Sequence, residues 1–386
     1  MVTLNEVFSA LSVRRRYEVW FVRLGLADGS GAWWFRYLLT NPGRGGCEGN
    51  PRGRPVQVWA TWFPADGKPQ SFIQGFPLTG FEISDKGKTP FHFRIGDNEI
   101  EEDSCRGALQ VDGHAISWNL RYRSTFRVTL SNKGWIGFSR TPHSDAIFSG
   151  QITLDGRAFM GDPVGFGVQG HNCGFRHRNF WTWTHAYFPR PGQAASTLEA
   201  LVYEMPFGLI FRKAVLWHDG QQHVSRDLSE GISGRDTMQW NFHCVGRDGL
   251  RLEAAIDGRG TSIHRLPYLK TDCSGDFEVA NNSLASASLI IERAGRPTER
   301  LETSTGAVPK ALKKIDNKNQ ERIKKALREL STDPYKAGEQ LHPAHYWKIK
   351  TGDYRAIYEI YPDQKQIIII FIVHRKNVYD DFSKIV

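Results

Sequence analysis

Two different periodicities divide this chain. Between about residues 20 and 300, strand-length apolar runs follow one another: "YEVWFVRLGL", "AWWFRYLLT", "VQVWATWF", "HAISWNLRY", "TLEALVYEM", "IFRKAVLWHDG" and "GLRLEAAIDG". Turn clusters such as "ADGSG", "NPGRGG", "ADGKP" and "VDGH" separate them. That spacing belongs to antiparallel sandwiches and barrels, and no helical periodicity competes with it. One short helix is expected earlier, near Leu4–Leu11, and "NPGRGGCEGNPRGRP" reads as a loop. After Gly306 the spacing changes to three and four, with Ala311, Leu312 and Ile315, then Ile323, Ala326, Leu327 and Leu330. This predicts a helix pair bent near Asp316–Asn317, with Asp316 as an N-cap. "STDPY" ends it, and three strands follow, "HYWKIK", "YRAIYEIY" and "QIIIIFIV", turning at "TGD" and "PDQK". The last eighty residues thus read as a small α+β unit.

The chain has 386 residues, 40% of them apolar and 12% aromatic, so two or three packed domains are expected and global disorder is excluded. The net charge is +9. From Ala307 onward 16 Lys and Arg face 10 Asp and Glu, so +6 of that surplus lies in the tail, where it favours a polyanion. An ordinary solvated surface gives the same count. The five cysteines, Cys47, Cys105, Cys173, Cys244 and Cys273, are odd in number and lack a CxxC, which suits reduced thiols in a cytoplasm. The N-terminus lacks the apolar core of a signal peptide, and "IIIIFIV" is too short to span a bilayer.

The chemistry of the tail lies in a few cations. Lys348 and Lys350 alternate with Trp347 and Ile349, which in a strand places both ammonium groups on one face. Arg355 lies across the turn, and His374, Arg375 and Tyr379 follow the third strand. Such a set suits a phosphodiester: cations hold the phosphate and stabilise its transition-state charge, while an imidazole or a lysine moves protons. Solvent-facing lysines on an ordinary sheet are the plain alternative. Together, "ALKKIDNKNQERIKKALRELSTDPYKAGEQL", "YWKIKTGDYRAIYEI" and "IIIIFIVHRKNVYDDF" resemble the RelE/ParE toxin superfamily of bacterial toxin–antitoxin systems, over residues 310–382. The resemblance implies a helical hairpin on an antiparallel sheet, a RelB-like antitoxin partner and, in the RelE branch, cleavage of mRNA on the ribosome by 2′-hydroxyl attack. It assigns phosphate contact and proton transfer to Lys348 and Lys350, and phosphate binding to Arg355. It assigns general acid and charge clamp to His374 and Arg375, and nucleotide stacking to Tyr379. ParE-type relatives share the fold and poison gyrase; the two lysines and His374 favour the nuclease branch.

In the β region the densest stretch is "GVQGHNCGFRHRNFWTWTHAYF", with His171, Asn172, His177, Trp181, Trp183 and His185. Its histidine spacings of six and eight do not suit a helical metal pair. In a strand, Trp181, Trp183 and His185 share one face and line an apolar cavity or a plain core. With "RYEVWFVRL", "PFHFRIGD" and "YLKTDCSGDFEVANNSLASASLIIE", this stretch resembles the hydroxyneurosporene synthase/tocopherol cyclase-like group, also called AttH-like or lipocalin-like, over residues 14–306. The resemblance implies two tandem lipocalin (calycin)-like barrels, at 1–165 and 166–306, followed by the toxin domain at 307–386. It points to Glu18, His171, Asn172, Trp181, Trp183 and His185 as ligand-binding residues for a hydrophobic isoprenoid or lipid. Glu18 is either a buried proton donor or a partner for an arginine such as Arg36. No cofactor and no metal is expected.

Only one strand, Glu299–Val308, is available to end the β region and to begin the toxin unit, and the expectation is that the β region keeps it. Three functions follow: a RelE-like ribonuclease carried on a hydrophobic-ligand domain; an isoprenoid- or lipid-modifying enzyme with a degenerate toxin tail; and a non-catalytic ligand binder with a module for nucleic acid or antitoxin.

Overall fold

The computed structural model describes residues 4, 5, 7, 16–41, 55–85, 90–132, 137–175, 177, 180–204, 210–226, 228–230, 238–246, 248–260, 262–271, 275–311, 322, 325, 326, 328–330, 332–341, 346–362 and 366–374. The chain forms two compact units. One comprises residues 1–177, 181–202 and 212–312; the other comprises 178–180, 203–211 and 313–386.

The first unit is antiparallel β throughout. Its largest sheet has twelve strands. From edge to edge run Gln70–Phe76, Val56–Pro64, Gly31–Asn41, Arg16–Leu26, Arg157–Gly174, Gly137–Leu154, His114–Arg123, Ser104–Val111, Asn98–Glu101, His92–Ile95 and Phe81–Ile83, with Val128–Asn132 pairing off this path. The sheet curls around Trp20, Trp33, Phe35, Tyr37, Phe93 and Trp118, all buried. Burial patterning tells which strands are covered once and which twice. His114–Arg123 alternates buried and exposed, the mark of a sheet with one wet face. Residues 56–63 of Val56–Pro64 and the second half of Arg16–Leu26 are buried at every position, because other elements cover both faces.

The "DG" pairs act as the sequence suggests. At Asp112–Gly113, Asp155–Gly156 and Asp219–Gly220 both residues have positive φ, which closes two-residue hairpins whose twist matches the strands.

A seven-stranded sheet contains Trp181–Phe188 and Ser196–Glu204, and a five-stranded sheet ends in Glu299–Gly306. Glu299–Gly306 pairs with Ala285–Glu292. His185 and Ala307 exchange backbone hydrogen bonds of 3.2 and 2.8 Å. Lys310–Ala311 inserts between Trp181–Thr182 and Val279–Ala280. The shared segment is therefore held by the first unit. Ala311, expected in a helix, is a strand residue: past Pro309 the chain stays extended because both neighbouring strands offer it partners.

The second unit is a four-stranded antiparallel sheet, Glu339–Leu341, Tyr346–Thr351, Tyr354–Tyr361 and Gln366–His374. The first of these was not anticipated from sequence. Described residues between 322 and 332 are helical, and Ala326 and Leu330, one turn apart, pack with Ile349, Ala356 and Tyr358. Residues 312–321, where the first helix of the pair is expected, lie outside the described residues, as do most of Leu4–Leu11 and the loop at 42–54. "STDPY" does more than end a helix. The Asp333 carboxylate accepts from the Tyr335 and Lys336 N–H groups, and Pro334 opens a short helix, Pro334–Ala337.

Candidate functional sites

In the second unit, strand alternation sorts the side chains. Trp347, Ile349, Ala356 and Tyr358 face the helical core. Lys348 and Lys350 take the other face, and Arg355 sits directly opposite Lys350 in the register. Both lysines reach the same carboxylate oxygen, Glu339 Oε2, at 3.4 Å from Lys348 and 3.1 Å from Lys350. Their charges hold the Glu339 carboxyl below its usual range, Lys350 through its hydrogen bond first and Lys348 through its field. Arg355 Nη1 donates to the Gly352 and Tyr354 carbonyls, 2.8 Å each, which turns it toward the hairpin. Lys348, Lys350 and Arg355 therefore share one face with an acid among them that the sequence reading missed. His374 pairs through its backbone with Tyr354, one position out of step with the Lys350–Arg355 pair. Arg375 and Tyr379 lie outside the described residues.

The first unit distributes its six expected residues over two places. Glu18 and His171 lie inside the curled sheet, both fully buried, with Glu18 Oε1 and His171 Nε2 2.9 Å apart. His171 Nδ1 lies 2.8 Å from the Leu4 carbonyl and so carries a proton. One more proton must then sit between Nε2 and Oε1, so the pair is imidazolium–carboxylate or imidazole–carboxylic acid. Trp20 stacks on His171 at 4.7 Å and donates to the Asn5 carbonyl, 3.1 Å. Asn5 and Gln169 hydrogen-bond reciprocally through their side chains. The N-terminal residues thus cover this pair, and its surroundings are those of a core. The partner of Glu18 is His171; Arg36 lies on the opposite face of the sheet, against Trp34, Trp59 and Tyr268.

Trp183 and His185 are buried on the strand Trp181–Phe188 and stack at 6.2 Å. Trp181 is half-buried against Phe277 and Val279, and Asn172 is half-buried, paired in register with Val19. His185 Nε2 donates to the Ser144 carbonyl, 2.7 Å, which fixes the tautomer and leaves Nδ1 an acceptor. Burial first, then the nearby Arg23 charge, lowers the His185 pKa to about 3, so the ring is neutral.

Two charged residues beside this row were not anticipated. Glu199 is buried and accepts from Ser144 Oγ (2.6 Å) and Thr141 Oγ1 (2.8 Å), with Trp183 as a third donor. Burial raises its pKa from 4.5 to about 7, the three donors opposing the rise. Ser144 links Glu199 to His185, one through its hydroxyl and the other through its carbonyl. Arg23 is fully buried and donates through Nη2 to the Ser283 and Gly306 carbonyls. A lone charge within an apolar strand, as in "TLEALVY" and "WFVRLGL", is the sequence signal that marks both. A carboxyl poised near neutrality beside indoles and a neutral imidazole can hold and deliver a proton in an apolar setting.

Comparison with known proteins assigns the two parts. Residues 305–379 match the family model described as ParE toxin of type II toxin–antitoxin system, parDE. That match begins inside the segment the first unit holds. No curated protein matches the chain significantly. Among solved structures, CghA with Sch210972 is similar at 12% identity and a TM-score of 0.55, covering 78% of this chain and 89% of CghA. A second CghA structure is similar at 11% identity and 0.53, covering 80% and 90%. Kievitone hydratase from Nectria haematococca follows at 12% and 0.49, covering 81% and 93%. At such identities the CghA likeness shows fold alone. The chain therefore carries a ParE toxin domain at residues 305–379, fused to an N-terminal region with the lipocalin-like β fold that CghA shares.

Proposed function

We propose that the chain is the toxin of a toxin–antitoxin pair whose C-terminal unit grips and cleaves mRNA on the ribosome, while its N-terminal unit binds a hydrophobic small molecule. The observation that supports the first part is the shared face of Lys348, Lys350 and Arg355. Two ammonium groups and a guanidinium on neighbouring strands match a ribose–phosphate link, whose two non-bridging oxygens gain charge as the 2′-hydroxyl attacks. Glu339 keeps the lysines ordered without RNA, and a phosphate entering between them displaces it. His374, Arg375 and Tyr379 take the proton-transfer, clamping and stacking roles that the family resemblance gives them. A ParE-family toxin implies an antitoxin partner, and a RelB-like one fits this reading. Among the described residues no helix is long and apolar enough to cross a membrane; a cytoplasmic site of action belongs to the proposal.

The test is controlled expression of the full chain in bacteria, with growth, mRNA cleavage and gyrase-dependent DNA breaks followed together. Growth arrest with cuts in translated mRNA, lost in Lys350→Ala with Arg355→Ala, is expected. Arrest with DNA breaks and intact mRNA would reassign the unit to gyrase poisoning. Unchanged mRNA cleavage in the double variant would sink the site.

A second reading has its own observation. Glu199, a buried carboxyl whose pKa lies at about 7, is what a hydratase or cyclase acting on an isoprenoid double bond needs. Turnover of such a substrate by the full chain, lost in Glu199→Gln, would favour it. Binding without turnover leaves a non-catalytic ligand domain.

A further inference from the structure

The guanidinium of Arg23 has no counter-ion among the described residues. Its Nη2 donates to two backbone carbonyls, while Nε and Nη1 have no acceptor. Its accessible surface is zero. Arg36, the other buried guanidinium on this face, is differently housed. It donates to the Tyr268 hydroxyl and the Asn281 amide oxygen and lies against three aromatic rings. An isolated buried cation with open N–H bonds is costly, and such a group persists where an anion offsets it.

Other unpartnered polar atoms gather around Arg23. Ser283, whose carbonyl Arg23 contacts, has a buried hydroxyl without a partner. Trp34, opposite Arg23 in the strand register, has a buried indole N–H without one. His185, bridged to Ala307 next to the Gly306 carbonyl that Arg23 also contacts, has an unpartnered Nδ1 acceptor. The surroundings are aromatic: Trp183 lies 5.7 Å from Phe21 and 6.2 Å from Trp34. The set is rich in donors, carries one positive charge, and has apolar walls.

We propose that Arg23 is the anchor of a small-molecule site in the N-terminal unit that takes a carboxylate on an apolar, unsaturated body. The carboxylate oxygens accept from Arg23 Nε and Nη1, with Ser283 Oγ and Trp34 Nε1 as further donors. His185 Nδ1 accepts from a hydroxyl or enol of the same ligand. Burial lowers the Arg23 pKa to about 9, which leaves it charged at neutral pH. This inference rests on the hydrophobic-ligand reading of the N-terminal unit and narrows it to acids.

The test titrates the full chain at pH 7 with cis-parinaric acid and with its methyl ester, reading probe fluorescence. The acid should bind at least tenfold more tightly than the ester. Arg23→Met should erase that preference by weakening the acid at least tenfold while leaving the ester unchanged. It should also leave the ligand-free melting temperature equal or raised, since it removes an uncompensated charge. Should Arg23→Met fail to fold, the acid-to-ester ratio of the unaltered protein and of Ser283→Ala still decides: the ratio should fall in the variant. Equal affinities for acid and ester would overturn the anion site and keep the hydrophobic-ligand reading. Absence of binding by both probes would overturn both.

Discussion

Replacing Glu199 by Gln isolates one buried proton. The carboxyl shifts from 4.5 to about 7 in the folded chain. Between those values the folded state binds a proton that the unfolded state has lost, so stability falls as pH rises, and the loss levels off above pH 7. At ~1.4 kcal/mol per unit the total is roughly 3 kcal/mol, undiscounted because the group is fully buried. The unaltered protein alone hides this. His185 and His177, both lowered from 6.5 to about 3 by burial, stay neutral in the fold while the unfolded chain protonates. Stability therefore falls on acidification below pH 6.5 and opposes the Glu199 slope over the same window. The difference between the two proteins cancels the histidines. Gln keeps the shape: its oxygen accepts from one hydroxyl, and its amide donates to the other. Urea unfolding of the first unit, followed by tryptophan fluorescence from pH 4.5 to 8.5, should show Glu199→Gln gaining about 3 kcal/mol on the unaltered protein between the ends of that range. A difference that stays flat with pH would refute a proton held at Glu199.

Glu18→Ala should destabilise the first unit by about 3–5 kcal/mol, because His171 is left buried without the partner that shares its proton. Glu18→Gln, which still donates to Nε2, should cost less than half of that, and equal losses would count against the shared proton. In the second unit, Tyr358→Phe removes a 2.7 Å hydrogen bond to the Pro334 carbonyl and should cost about 1 kcal/mol in that unit's melting. Glu339→Gln releases Lys348 and Lys350 and should raise affinity for single-stranded RNA roughly threefold to tenfold at low salt, with a steeper salt dependence; an unchanged filter-binding curve would remove Glu339 from the site.

Local rules made much of this protein legible. Alternation located the strands, turn clusters such as "VDGH" separated them, and the period-two placement of Lys348 and Lys350 against Trp347 and Ile349 already fixed which faces they share. The strand Glu339–Leu341 was missed because "EQL" carries no pattern of its own and becomes a strand only by pairing with Tyr346–Lys348. Ala311 was misread for a related reason: its residues suit a helix, yet flanking strands on both sides take the backbone. Period alone also could not separate Glu18 and His171 from Trp183 and His185, since it gives the face of one strand and not which strands pack against it.

The sequence by itself determined the secondary-structure type, the two-part organisation and the cation row of the tail, because these depend on neighbours two to four residues apart. Only the tertiary structure decided which charges are buried and what they meet. Arg23 lies more than 250 residues from both Ser283 and Gly306 along the chain. Their meeting depends on how the sheets stack, and the cost of burying a charge arises only once that stacking has removed the water.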